Sequence, residues 1–189
     1  MDREGKGEKL EAWDWWYYAE KLRQEKYDLN EDAIKPYFSQ EDVHNGLCTV
    51  VNKLYGITLT PCDSISVYNK DVKTYIVKDA DDSLLGVFYS DYMPRASKRS
   101  GAWMSNFREQ QEGVRPLIYN VASFTKPAGD LPSLLTIDEA RTMYHEFGHA
   151  LHGLLTQCKY KGVSGTSVAQ DFVELPSQIM EHWLYHLKC

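Results

Sequence analysis

The apolar residues of the chain change their period twice. In "EKLEAWDWWYYAEKLRQEKYDL", Leu10, Trp13, Trp16 and Tyr17 recur at helical intervals, and Trp15, Tyr18 and Leu22 make a second apolar row. Two rows predict a long amphipathic helix wrapped on more than one side, its rings serving as core; a stacking platform for sugars or bases is the functional alternative. A second helix is predicted over "SQEDVHNGLCTVVNKLYGI". There Ser39 and Asp42 are candidate caps, Val43, Leu47, Val50, Val51 and Leu54 form the buried stripe, and Gly56 is the stop.

From Ile57 the period shortens to the alternation of strands. "SISVYNKDVKTYIVKD" reads as two short strands around Asn69 to Asp71, "LLGVFYSDYM" as a third and "RPLIYNVASF" as another. Between the last two, "RASKRSGAWMSNFREQQEGV" carries small residues and Gly101, which suit a bend or an edge strand. The helical period then returns. Thr136 and Glu139 form a capping box that starts a helix near Ile137, and Ile137, Ala140, Tyr144, Phe147, Leu151 and Leu154 or Leu155 face its core. Helices over about 8–56, a small sheet over about 57–125 and two helices over about 136–187 make an α+β arrangement, mostly helical, with a small antiparallel or mixed sheet.

Composition narrows the functions open to such a fold. The 189 residues are 43% hydrophobic and 25% charged, which suits one globular domain. A net charge of -6 provides no basic field for a phosphate backbone, so nucleic acid is not an expected partner. No apolar run approaches the length of a membrane span, and "MDREGKGEKL" lacks the apolar core of a signal peptide, so a cytoplasmic setting is expected. Cys48, Cys62, Cys158 and Cys189 show no CxxC spacing and read as reduced thiols.

The chemistry lies on the helix that follows Thr136. His145, His149 and His152 fall at i, i+4 and i+7, nearly opposite Phe147, where a plain surface helix would carry Lys and Glu. His145 to His149 spell HExxH. Residues four apart are neighbours on a helix, so two imidazoles can converge on one divalent ion while Glu146, about a hundred degrees round, reaches a water without binding the metal. A catalytic zinc takes three protein ligands and leaves a fourth position open. The third candidate is Glu174, twenty-five residues past His149, in the first turn of a helix that Asp171 can cap. Glu174 could instead belong to a capping box, and Glu181 is the rival ligand. His152 suits either a cleft-lining or a structural role, and Asp171 and Gln178 are candidates to orient the histidines.

These motifs resemble the thimet oligopeptidase (M3) family of zinc peptidases. The resemblance rests on "YHEFGHALHGLL" and "SGTSVAQDFVELPSQIMEHW", and upstream on "IKPYF", "LYGI", "SKRSGAWMSNFREQ" and "RPLIYNVASFTKPAGDLPSLLTIDE". It runs from about Leu10 to Trp183 and is greatest toward the peptidyl-dipeptidase branch. It implies a zincin-type segment in which His145, His149 and Glu174 hold one Zn2+ and Glu146 is the general base. It further implies that Gly101, Ala102 and Trp103 lie on an edge strand that pairs with an extended substrate, with short peptides as partners.

Members of this family are several times longer, and the groups that stabilise their oxyanion lie in portions not matched here. The chain therefore reads as part of such a catalytic region. The expected reaction is release of C-terminal dipeptides, with internal cleavage of oligopeptides as the alternative within the enzyme class. A zinc- or peptide-binding segment without activity of its own is the alternative outside it. Oligomeric state is not legible.

Overall fold

The first apolar stretch folds as a helix, without the enclosure its two aromatic rows predict. The computed structural model describes residues 10–27, 31–127, 129 and 131–186. A 3-10 turn, Ala12–Asp14, leads into α1 (Trp15–Tyr27), and a single turn, α2 (Glu31–Ile34), follows. No residue of α1 is buried, and Trp13 and Trp16 are 77% and 79% exposed. Local pairing supports the helix instead, as where Arg23 meets Glu20 at 2.9 Å. The chain divides after Ile34 into two compact units, and the sheet with its flanking helices lies in the second, which starts at Lys35.

Ser39 and Gly56 bracket α3 (Gln40–Tyr55) as their residue types predict. The Ser39 hydroxyl accepts from the Asp42 amide at 3.0 Å, and Gly56 ends the helix at φ 75°, in the left-handed region where a side chain is disfavoured. Val43, Leu47, Val50 and Val51 are buried, whereas Leu54 in the last turn is exposed.

The sheet is mixed and has five strands, β1 (Thr58–Pro61), β2 (Lys73–Lys78), β3 (Leu84–Asp91), β4 (Trp103–Arg108) and β5 (Leu117–Val121), in the order β1-β2-β3-β5-β4. All neighbours are antiparallel except β3 and β5, which run parallel. One expectation fails here. The first strand lies at Thr58–Pro61, and the stretch through Tyr68 is loop, because the turn formers outweigh the alternation: Asn69 accepts from the Asp71 and Val72 amides and closes a turn. The segment rich in small residues does supply the outer strand, β4.

Across this sheet lies α4 (Ile137–Leu155), opened by the expected capping box. Thr136 Oγ accepts from the Glu139 amide at 3.1 Å, and the Glu139 carboxylate accepts from the Thr136 amide at 2.9 Å. Ala140, Tyr144, Phe147, Leu151 and Leu154 are buried, while Leu155 is exposed. The Phe147 ring meets Phe88 of β3 edge-on at 5.1 Å. Truncating such a buried ring to alanine typically costs about 3–5 kcal/mol, so this face fixes how α4 sits. Helix α5 (Leu175–Leu184) packs on the other side of α4 and completes the α+β fold. Among the described residues no helix is long and apolar enough to cross a membrane.

Candidate metal centre

The face of α4 turned from the sheet carries the histidines, and α5 brings an acid to them. His145 and His149, one helical turn apart, have ring centroids 5.0 Å from each other. Their Nε2 atoms lie 3.3 and 3.2 Å from the same oxygen of Glu174, Oε2. All three donor atoms fall within 4.8 Å of one another. Two imidazoles and one carboxylate in this arrangement are the donor set that zinc takes in open sites, so the residues present fit that ion.

Close helix packing makes the convergence possible. A Cβ built on Gly148 would stand 2.5 Å from Ser177 Cα and 2.6 Å from the Pro176 carbonyl oxygen, so only a residue without a side chain lets the start of α5 lie there. Glu174 occupies the cap position of α5, one place earlier than the first-turn site expected of it. Asp171, expected to be the cap, sits in the turns before the helix, where Phe172 and Leu175 amides bond back to Ala169 and Phe172 carbonyls and delay its start. Pro176 falls where its missing N-H costs no intrahelical bond. The Ser177 hydroxyl donates to Glu174 Oε2 at 2.7 Å and to the Glu174 carbonyl at 2.9 Å.

Glu181, the rival ligand, has a different place. Its Oε1 lies 2.6 Å from His145 Nδ1, and Arg141 Nε stands 3.9 Å from its other oxygen. When Nδ1-H donates to this carboxylate, the Nε2 lone pair of His145 is left facing Glu174, the tautomer a metal ligand needs. Asp171 and Gln178, the other candidates for orienting histidines, are exposed. Burial lowers the pKa of His149, against a raising pull from Glu174, and a neutral ring is the ligating form. The Ser177 hydrogen bond, with both histidines adding, holds the Glu174 carboxyl below its ordinary range.

Glu146 is not part of that cluster and is buried. Loss of hydration pushes its carboxyl up to about 7; His145 pulls it down and the charge of Glu174 raises it further. An acid with that affinity can both accept and return a proton near neutrality. His152 lies one turn beyond His149, outside the ligand cluster, on an apolar groove of about 360 Å³ with Leu151, Pro176 and Ile179. Gly101 is exposed at φ 99°, and Ala102 and Trp103 are half-buried where the chain enters β4. Sequence reading missed Ser177 and Gly148 altogether. An Ser three residues after Glu174 was the available signal for the first.

Residues 1–188 match the sequence profile of peptidase family M3. The chain belongs to that family. This M3 chain is 46% identical over 189 residues to dipeptidyl carboxypeptidase of Salmonella typhimurium, an alignment that covers 98% of the chain and 28% of that protein. It is 40% identical over 184 residues to oligopeptidase A of Escherichia coli, covering 94% of the chain and 27% of that relative. To the organellar oligopeptidase A of Arabidopsis thaliana it is 42% identical over 185 residues, covering 92% of the chain and 23% of the relative. The M3 chain thus spans about a quarter of the length of the curated relatives it matches.

Proposed function

We propose that this M3 chain carries the zinc site of a peptidase that releases dipeptides from the free C-terminus of short peptides. The observation that carries the reading is the convergence of His145, His149 and Glu174 through atoms within 4.8 Å of one another, next to a buried Glu146. The dipeptide specificity is supported by likeness to a dipeptidyl carboxypeptidase; likeness to oligopeptidase A favours internal cleavage as the second reading.

Zinc, when bound, supplies a Lewis acid for the scissile carbonyl and lowers the pKa of an attacking water to about 7. The remaining work falls to the protein. Glu146 accepts a proton from the water as its oxygen bonds to the carbonyl carbon, then gives that proton to the peptide nitrogen as the C-N bond breaks. Burial raises the proton affinity of that carboxyl, which suits it to take up a proton and return it. Glu181 holds the His145 ring and Ser177 holds the Glu174 carboxylate, so the donors are preorganised before any ion arrives. At the sheet edge, the backbone of Gly101, Ala102 and Trp103 pairs with an extended peptide, and His152 lines the cleft beyond His149.

The test is made on the full-length protein carrying this segment. Glu146→Gln should retain zinc and lose turnover, and a matched peptide pair with free and amidated C-termini should be cleaved only in the free form. Normal hydrolysis by Glu146→Gln removes the assigned base. Equal cleavage of the pair removes the dipeptidase reading in favour of internal cleavage.

A further inference from the structure

The C-terminal end of β3 buries a carboxylate that the chemistry above does not use. Asp91 is 0% exposed and accepts hydrogen bonds from Arg95 Nη1 and Nη2 at 2.8 Å each, Lys98 Nζ at 2.9 Å and the Tyr68 hydroxyl at 2.8 Å. Lys98, its side chain only 3% exposed, also donates to the main-chain carbonyls of Asp91 at 2.7 Å and Met93 at 2.9 Å. Stability alone does not call for this arrangement. A buried ion pair roughly breaks even against apolar residues of the same volume, and its better-attested use is to select one geometry among several.

The geometry it selects is that of the edge strand. Val121 of β5 is paired with Asp91 on one side and with Trp103 on the other, so the buried carboxylate stands level with the first residue of β4. The chain between them is the loop that holds Arg95 and Lys98, both tied back to Asp91, and it ends in the left-handed bend at Gly101. Tyr68 closes the far side: its hydroxyl is on Asp91 and its ring lies edge-on to Phe107 of β4 at 6.0 Å. One anion therefore fixes both the entry and one face of β4.

We propose that Asp91 is a positioning residue for peptide binding: by gathering Arg95, Lys98 and Tyr68 it sets where Gly101, Ala102 and Trp103 present their backbone. This rests on the edge-strand reading of β4 given under the proposed function. A peptide that pairs with a strand needs N-H and C=O groups in register, and a loop released from Asp91 would let the first residues of β4 shift along β5.

The test uses zinc-loaded full-length protein, wild type and Asp91→Asn, and two probes: a fluorogenic hexapeptide with a free C-terminus, and the same peptide N-methylated singly at each residue before the scissile bond. Loss of one backbone hydrogen bond should cost the wild type about fivefold to tenfold in kcat/KM at the position that meets the edge. In Asp91→Asn that penalty should shrink to less than about twofold, with KM for the parent peptide raised far more than kcat is lowered. A penalty of the same size in both proteins overturns the proposal, however slow the variant is overall. A wild type that cleaves peptide but shows no penalty at any position removes the edge-strand reading, and this proposal with it. No wild-type turnover at all removes the peptidase reading instead. If Asp91→Asn does not fold, Arg95→Gln decides: its side chain is 25% exposed, and it should reduce the same penalty partway, an unchanged penalty again overturning the proposal.

Discussion

Ser177 grips Glu174 by the oxygen that matters, its hydroxyl 2.7 Å from the Oε2 atom that stands 3.2 and 3.3 Å from the two histidine nitrogens. The serine is fully buried, whereas the glutamate side chain is 46% exposed and would otherwise wander among rotamers. Ser177→Ala should therefore leave the fold intact and weaken zinc binding by about tenfold, the low end for a residue that orients a ligand. Competition against a chromophoric chelator measures it. An unchanged affinity would mean that the hydroxyl serves only the helix start.

Glu181 acts on His145, another member of the cluster. Its 2.6 Å contact to His145 Nδ1 fixes the ring and adds electron density to it. Glu181→Gln can still hydrogen-bond but no longer carries charge, and zinc affinity should fall by about 10- to 100-fold. A loss as complete as that of His145→Ala would instead make Glu181 a ligand.

Gly148 sets the spacing between α4 and α5. A methyl group there meets backbone at 2.5 and 2.6 Å, which no rotamer change relieves, so α5 must move. Gly148→Ala should cost about 1–3 kcal/mol of stability by overpacking and lower zinc stoichiometry at the same time. Urea unfolding and metal analysis on one preparation check both. Full zinc content with normal stability would show that α5 tolerates the shift.

Acid sensitivity should originate in α3. The His44 ring is stacked on Tyr75 at 4.9 Å, its Nδ1 is 3.7 Å from Cys48 Sγ, and burial, with Lys73 adding, lowers its pKa from 6.5 to about 4. Between those values the unfolded chain binds a proton that the folded chain refuses. The stability is complete above pH 6.5 and is lost as the pH falls toward 4, by about 2 kcal/mol at pH 5. Urea midpoints at pH 7.5 and 5 should differ by more in the wild type than in His44→Phe, and parallel shifts would place the sensitivity elsewhere.

What could be read from sequence was whatever a local rule governs. The capping box at Thr136 and Glu139, the caps of α3 and the i, i+4 histidines each depend on residues within one or two turns, and each has its expected geometry. The parallel pairing of β3 with β5 was hidden, because it needs β4, which comes between them in sequence, to pass to the outside. Tyr68 looked like part of a strand because its hydroxyl partner, Asp91, is 23 residues away. Nothing local marks Gly148, and only the nearness of Ser177 and Pro176 shows why a side chain would not fit. The aromatic rows of α1 follow the core pattern yet lie exposed, so periodicity identified the helix without identifying anything that covers it.

Because two donors stand on α4 and the third at the entrance of α5, a cation held among them would act as a cross-brace over the twenty-four residues between His149 and Glu174. Thermal resistance of the folded state should then climb with the logarithm of free zinc, and proteases should cut the intervening excursion faster once a chelator is added. Catalytic ion and mechanical fastener would be the same atom.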